Sequence, residues 1–494
     1  VSVKITARTQ EELLELCRLE PEAAVRLIES LMSKIEALEE CVRQLEAQRK
    51  QDSQNSHKPP SSDGLKGVTK STRPKSDRSS GGQAGHEGTT LKMVATPDRV
   101  VRHEVVECKS CGRSLKRVHA QSYRRRQVFD IPKPRMEVTE HQCEAKECPR
   151  CGRMTMASFP AGLTKAAQYG NTIKSIGTYL MQYQLLPSER TQSALQDLFG
   201  CSVSEGTLFN WAQELHSNVE GPEQNIKEQL TQAPVIHTDE TGLFCEKKLQ
   251  WLHVASTLAL TYYQVHPKRG TQAMDAIGIL PEFRGRAIHD SWKPYFSYGC
   301  DHGICNAHIL RELTFAHEQD NQRWAKDFKE LLQRIYGRVE DARQQRKTSL
   351  PTRTLRHHER QYDALLARAL RQNPRQRGSP HQRGRKKQTK TRNLLERLRD
   401  HRQAVLAFMY DFGVPFTNNQ AERDLRMAKV KQKISGTFRS PLGAEIFCRI
   451  RGYISTARLN GVVGQARKNG LSAFDALVRA FAGNPFTPAF NYAE

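Results

Sequence analysis

Between Ala233 and Ile304 the chain changes texture, and this change constrains the fold more than any other feature. The runs "PVIHTDETGLF", "LQWLHVAST" and "LTYYQVHP" are rich in β-branched and aromatic residues, are separated by turns, and each reads as a strand. A helical run, "TQAMDAIGIL", follows, and then "GRAIHDSW", a fourth strand that ends at an acid. "DHGICNAHILREL" supplies a short apolar segment that leads into a helix. This order predicts an α/β domain with a mixed sheet. Asp239 lies within the first strand and Asp290 at the end of the fourth, each flanked by apolar residues. Carboxylates in such places are costly unless paired, hydrogen-bonded or bound to a cation. Taken singly, caps and turns account for such acids equally well.

Upstream, Ile28, Leu31, Ile35, Leu38, Val42 and Leu45 follow alternating spacings of three and four. That is an a/d seam, suited to a short coiled coil or to an amphipathic helix docked on its own chain. Residues 1–50 hold eight basic and ten acidic groups, so this arm is better suited to self-association than to binding a polyanion. From 51 to 91 periodicity is lost in favour of Pro, Ser, Gly and Lys, the composition of a solvated basic linker. Next come "CKSCG" (Cys108, Cys111) and, after a gap of 36 residues, "CPRCG" (Cys148, Cys151). Paired C-x2-C turns suit one tetrahedral structural zinc, and the intervening "YRRRQVFDIPKPRMEVTEHQC" reads as strands of a zinc-ribbon-like module. In 161–230, "SALQDLFGCSVSEGTLFNWAQEL" has helix-turn-helix spacing, with Ser202-x-x-Glu205 as a capping box and Thr207 and Asn210 as groove-facing groups.

The formal charge of +24 calls for a polyanionic partner, with nucleic acid first. No run of 18 apolar residues or apolar signal core is present, which predicts a soluble, cytoplasmic protein without membrane contact. Beyond the sheet, 311–411 is charged and helix-rich, and within it 371–392 holds nine basic residues and no acid. "PFTNNQAERDLRMAKVKQKISG" then reads as a basic helix with Glu422, Arg426, Lys429 and Lys433 on one face. Taken alone, Glu422 is half of an i,i+4 surface pair with Arg426. Asp424 flanks the same apolar seam, and helical geometry does not choose between the two acids.

The blocks "HTDETG", "HDSWKPYFSY", "HGICNAHILREL" and "PFTNNQAERDLRMAKVKQKISGTFRS" resemble the large transposase of the insertion sequence 66 family. "NSHKPPSSDG", "GGQAGHEG", the cysteine knuckles and "ISTARLNG" resemble the same proteins, so the likeness spans nearly the whole chain. It implies an RNase H-like core with an Asp-Asp-Glu triad, and by motif position the triad is Asp239, Asp290 and Glu422. It further implies two Mg²⁺ (or Mn²⁺) ions on those acids, cleavage of transposon ends and strand transfer of the 3′-hydroxyl into target DNA. Arg423, Arg426, Lys429, Lys431, Lys433 and Arg439 would line the DNA path. Cys305 and His308 match a C-x2-H signature near the second acid and are read as packing structurally near the site, with zinc binding alongside His302 as the alternative. The expected organisation is a coiled-coil arm (1–50), a linker (51–91), a zinc module (92–160) and a helix-turn-helix region (161–230). A catalytic core (231–310 and 412–460) is split by a helical insertion (311–411) and followed by a tail (461–494). Expected partners are double-stranded DNA (terminal repeats and target), further copies of the chain and two small accessory proteins of the same element, on the bacterial nucleoid. The rival reading is a non-catalytic zinc and helix-turn-helix regulator derived from a transposase.

Overall fold

The computed structural model describes Arg18 and residues 21–49, 91–132, 134–376, 386–457 and 471–489. The linker read over 51–91 lies, Leu91 apart, outside the described residues, as does 377–385 of the basic run. The chain forms two compact units, one of 1–70, 169–191 and 205–494 and the other of 71–168 and 192–204.

In chain order, α1 (Pro21–Arg49) is followed by β1 (Ala145–Glu147), β2 (Met154–Met156), α2 (Asn171–Thr178), α3 (Ser188–Phe199), α4 (Glu205–Asn218) and α5 (Glu220–Thr231). Then come β3 (Val235–Cys245), β4 (Lys248–Ser256), β5 (Thr261–His266), α6 (Thr271–Ile277), β6 (Arg286–His289) and β7 (Asp301–Ile304). The remaining long elements are α7 (Asn306–Glu318), α8 (Arg323–Gln344), α9 (Thr352–Gln372), α10 (Lys390–Asp400), α11 (Asn419–Ser435), α12 (Pro441–Ala457) and α13 (Ala473–Phe481).

The larger unit is built on a five-stranded mixed sheet in the order β5-β4-β3-β6-β7. β4 runs antiparallel to β3 and β5, whereas β3, β6 and β7 are parallel. The apolar run in "DHGICNAH" is thus a fifth strand, β7, and Cys305 turns it directly into α7. Ile236, Ala287 and Ala255 face a core with α5 and α6, while Leu243, Leu252 and Val254 face α11 and α12. The inserted helices have their own core, in which Trp324, Phe328 and Tyr362 are fully buried, and Ile288 and Ile304 join it to the sheet.

Three expectations need correction. First, the described residues of 123–143 contain no strand; the short pairings flank the knuckles instead, β1 with β2 and Glu107 with Ser114. A knuckle reverses the chain, so the residues that meet are those on either side of it. Second, α4 starts at Glu205, and Ser202 donates its hydroxyl to Gln196 rather than opening the helix. Helix, Gly-Cys break and helix are present in the predicted order, with Gly200 at φ +65°. Third, the last segment is no simple tail: α13 buries Ala476, Leu477 and Ala480 completely and accepts hydrogen bonds from Tyr453 and Asn218. α1 carries the seam from Ile28 to Leu45, all of it exposed.

Gly285 shows how tightly the start of β6 is held. A Cβ there would lie 2.4 Å from the Ala233 carbonyl oxygen and 2.6 Å from that of Pro234. Backbone cannot yield as a side-chain tip can, so Gly285→Ala is expected to cost about 1–3 kcal/mol. A denaturant midpoint equal to that of the parent would refute this.

Candidate active site

β3 and β6 pair with Val235 opposite Arg286 and His237 opposite Ile288. Side chains alternate along a strand, so His237, Asp239 and Ile288 share one face of the sheet, and Asp290 follows directly after β6 with its charge reaching Asp239. α11 packs on that face through Ala421, Leu425 and Ala428, which meet Leu243, Leu252 and Val254. Glu422, in the first turn of α11, is thereby placed where its charge reaches Asp239.

Charge records this proximity. Loss of water raises the Asp239 carboxyl well above the usual range, and the negative charges of Glu240, Asp290 and Glu422 raise it further. The Glu240 amide donates to Asp239 Oδ1 at 2.8 Å, and the Trp292 amide to Asp290 Oδ1 at 2.9 Å. Glu422, with a third of its side chain exposed, stands 3.7 Å from His308 Nε2 and 4.0 Å from Arg311 Nη2. Among the described residues these α7 groups are its ion-pair partners; Arg426 is exposed, so the expected i,i+4 pair is not formed. Glu422 Oε1 is buried without a hydrogen bond. Carboxylates are the donors that hard divalent cations take, but the oxygens of Asp239, Asp290 and Glu422 do not all lie within 4.8 Å of one another.

Asp424 is held elsewhere. It is buried, accepts from Gln420 Nε2 at 3.1 Å and lies within the field of Arg451. Asp301 is paired with Arg286 and Glu312 with Arg397, so neither belongs to the acidic group on the sheet.

Two devices around the acids escaped the sequence reading. Asn418, buried just before α11, ties that helix to the strands: its Nδ2 donates to Thr238 O at 2.9 Å and its amide to Cys305 Sγ at 3.1 Å. Its Oδ1 lies 2.9 Å from His237 Nδ1, and with Nδ2 already donating, the proton of this bond belongs to His237. On the opposite sheet face, Glu240 has a side chain only 1% exposed and receives Arg269 Nε at 2.8 Å and Nη2 at 2.7 Å. Its other oxygen accepts from Tyr295. The Arg269 guanidinium sits 4.7 Å from the Trp251 ring and 4.1 Å from the Trp292 ring. The one signal for the brace was the second acid of "HTDETG"; a partner 29 residues away leaves no local pattern.

Residues 168–446, more than half of the 494-residue chain, match the model of the transposase IS66 family. The chain belongs to this family. Residues 107–152 match the zinc-finger binding domain of transposase IS66, and 10–92 match a family of unknown function (DUF6444). No curated protein matches the chain. The IS66 match contains Asp239, Asp290 and Glu422, and the zinc-finger match contains all four knuckle cysteines. No helix among the described residues is long and apolar enough to cross a membrane.

Within the zinc-finger module the two knuckles are built alike. Cys108 and Cys148 each take part in a turn closed by the amide of Gly112 or Gly152, both glycines at positive φ. Amides of Cys111 and Ser110 lower the thiol pKa of Cys108, and those of Arg150 and Cys151 that of Cys148. Amides aimed at sulphur favour thiolate, the form that binds zinc.

The residues expected to line the DNA path differ in availability. Arg423, Arg426, Lys429, Lys433 and Arg439 are exposed, although Arg423 bonds Gln420, Lys429 bonds the Gly242 carbonyl and Arg439 reaches Glu205. Lys431 is different: its ammonium packs over Phe438 and Phe447, at 5.2 and 5.5 Å, and burial lowers its pKa to about 8. It anchors α11 to α12 more than it presents charge to a ligand. Asn210 is exposed and Thr207 half-buried on α4.

Proposed function

We propose that this IS66-family transposase cuts DNA at transposon ends and joins the freed 3′-hydroxyl to target DNA, using Asp239, Asp290 and Glu422 with Mg²⁺ or Mn²⁺. The observation that supports the reading is that the charges of Asp290, directly after β6, and of Glu422, on α11, both reach Asp239 on β3. The strand order, with β4 antiparallel among otherwise parallel neighbours, supports an RNase H-like core. When bound, two divalent ions would supply Lewis-acid activation of water and stabilise the leaving oxygen. Asp239 lies within β3 and Asp290 directly after β6, its carboxylate held by the Trp292 amide, so these two donors need little reorganisation. Glu422 stands on a separate helix, secured by Asn418. In the first step a water oxygen bonds to phosphorus and the bond to the 3′-oxygen breaks. In the second, that 3′-hydroxyl attacks a target phosphodiester and displaces its 3′-oxygen. No Ser or Tyr of the chain is required as a nucleophile. Exposed basic residues of α11 would take the DNA backbone, α3 and α4 would read the terminal repeat, and α1 would pair protomers through its exposed seam.

The direct test is incubation of the full chain with labelled element-end duplex and Mg²⁺ or Mn²⁺, with chelator as control. Metal-dependent nicking and joining is expected; binding without any cutting would favour the non-catalytic regulator instead. For the zinc-finger module, Cys108, Cys111, Cys148 and Cys151 would hold one structural ion. Cys111→Ser or Cys151→Ser is expected to lower bound zinc by about one ion per chain, because structural sites use all four ligands. Unchanged zinc by metal analysis would reject that assignment.

A further inference from the structure

Among the described residues, one trio of metal-binding side chains has its ligand atoms within 4.8 Å of one another, and it is not the acidic triad: it is Cys305, His308 and Glu422. We infer that these three form a separate site for a soft divalent cation of the Zn²⁺ class, which holds Glu422 away from Asp239 and Asp290. Cys305 is completely buried at the junction of β7 and α7, where backbone amides of the helix start and of Asn418 point at its sulphur. Burial and the neighbouring charge of Glu422 raise the Cys305 thiol, and these amides offset only part of that, so the thiolate forms only when a cation displaces the proton. His308 follows three residues later, on the same face of α7. Glu422 closes the trio from α11 with its buried, unbonded Oε1 aimed at His308.

Donor chemistry separates this site from the triad. Three carboxylates favour Mg²⁺ or Mn²⁺, whereas thiolate, imidazole and carboxylate favour zinc. Tetrahedral zinc sets its donor atoms roughly 3.3–3.8 Å apart, so the trio closes on the ion with a shift of about an ångström. Solvent supplies the fourth ligand, and the Cys305 proton leaves to water on binding. His302, the other histidine near by in sequence, is engaged 3.0 Å from His289 Nε2 and takes no part. Since Glu422 is common to both sets, zinc here opposes loading of the catalytic ions. The metal site stands on its own geometry, while its inhibitory effect rests on the assignment of Glu422 to the triad.

The test uses the full chain, equilibrated with zinc, freed of excess and analysed for metal, with circular dichroism as the check on folding. Wild type is expected to retain about one zinc more per chain than Cys305→Ser or His308→Gln, since each variant removes a ligand. Should Cys305→Ser fail to fold, His308→Gln carries the comparison; equal zinc in wild type and folded His308→Gln overturns the site. Added zinc is expected to slow Mg²⁺-dependent cleavage by wild type ~10-fold or more, following the stronger affinity of N and S donors for zinc. His308→Gln, compared with its own zinc-free rate, should be slowed far less; equal inhibition of both overturns the inhibitory role. If the triad reading alone is wrong, Glu422→Gln cleaves at the wild-type rate while the difference in bound zinc between wild type and His308→Gln persists.

Discussion

Asp239→Asn, Asp290→Asn and Glu422→Gln are each expected to reduce cleavage and strand transfer by ~10³-fold or more, with DNA binding nearly unchanged. Each swap keeps the volume of the side chain and removes one charged metal donor. A loss of several kcal/mol of transition-state stabilisation corresponds to that range. Asp239 is the sharpest case, since its carboxyl is raised by lost water and by three neighbouring acids. Neutralising it relieves repulsion in the resting protein, so Asp239→Asn should match or exceed the parent in thermal stability while losing turnover. Nicking and joining assays, run beside binding titrations at one fixed salt concentration, read both quantities. Turnover within about tenfold of wild type in any of the three would remove that residue from the triad. Asp424→Asn serves as the contrast: its loss should act through stability, given its place beside Gln420 and Arg451.

Arg269→Ala is expected to be the most destabilising single change near the site, at about 3 kcal/mol. Breaking a buried ion pair from one side leaves the other charge uncompensated, and Glu240 is nearly inaccessible to water. The figure sits at the low end of the usual range because more than a third of the Arg269 side chain is exposed. The effect should reach the chemistry as well. Glu240 adjoins Asp239, and Trp292, stacked on the guanidinium, donates its amide to Asp290. The brace therefore joins the backbones of two acids. Arg269→Lys should recover only part of the stability, because an ammonium lacks the planar fork that fits between two indoles. A lower denaturant midpoint at constant slope, with kcat reduced more than KM is raised, is the expected result. Full stability and activity in Arg269→Ala would show that Tyr295 alone satisfies Glu240.

How much of this was legible depended on range. β3 to β6 could be read because each strand announces itself by local β-branched and aromatic density, and turns punctuate them. The knuckles were legible for the same reason, since C-x2-C is a complete unit within a few residues. What failed was pairing between distant segments. The segment 123–143 carries strand-like composition, but its described residues have no partner strand, while the unremarkable triplets Ala145–Glu147 and Met154–Met156 pair because a knuckle folds one onto the other. α13 was missed as a packed helix because nothing local says that Ala476 and Leu477 meet a surface. Its burial is supplied by other helices, through contacts such as Asn218 to Ala480 and Tyr453 to Ala476.

The sequence by itself determined the kind of chain this is: an α/β core, inserted helices, a cysteine-knuckle module, a strongly basic surface, and acids at strand positions where solitary carboxylates are costly. Its motifs also pointed to Glu422. Only the tertiary structure decided which groups that glutamate meets. On an isolated helix its natural neighbour is Arg426, four residues on, but packing of the Ala421, Leu425 and Ala428 seam on the sheet turns Glu422 inward. There it lies between the field of Asp239 and the Cys305–His308 pair, while Arg426 is left in solvent. The physical reason is that burying an apolar seam outweighs a surface ion pair, about 1.5–3 kcal/mol for one leucine against a few tenths for an i,i+4 contact.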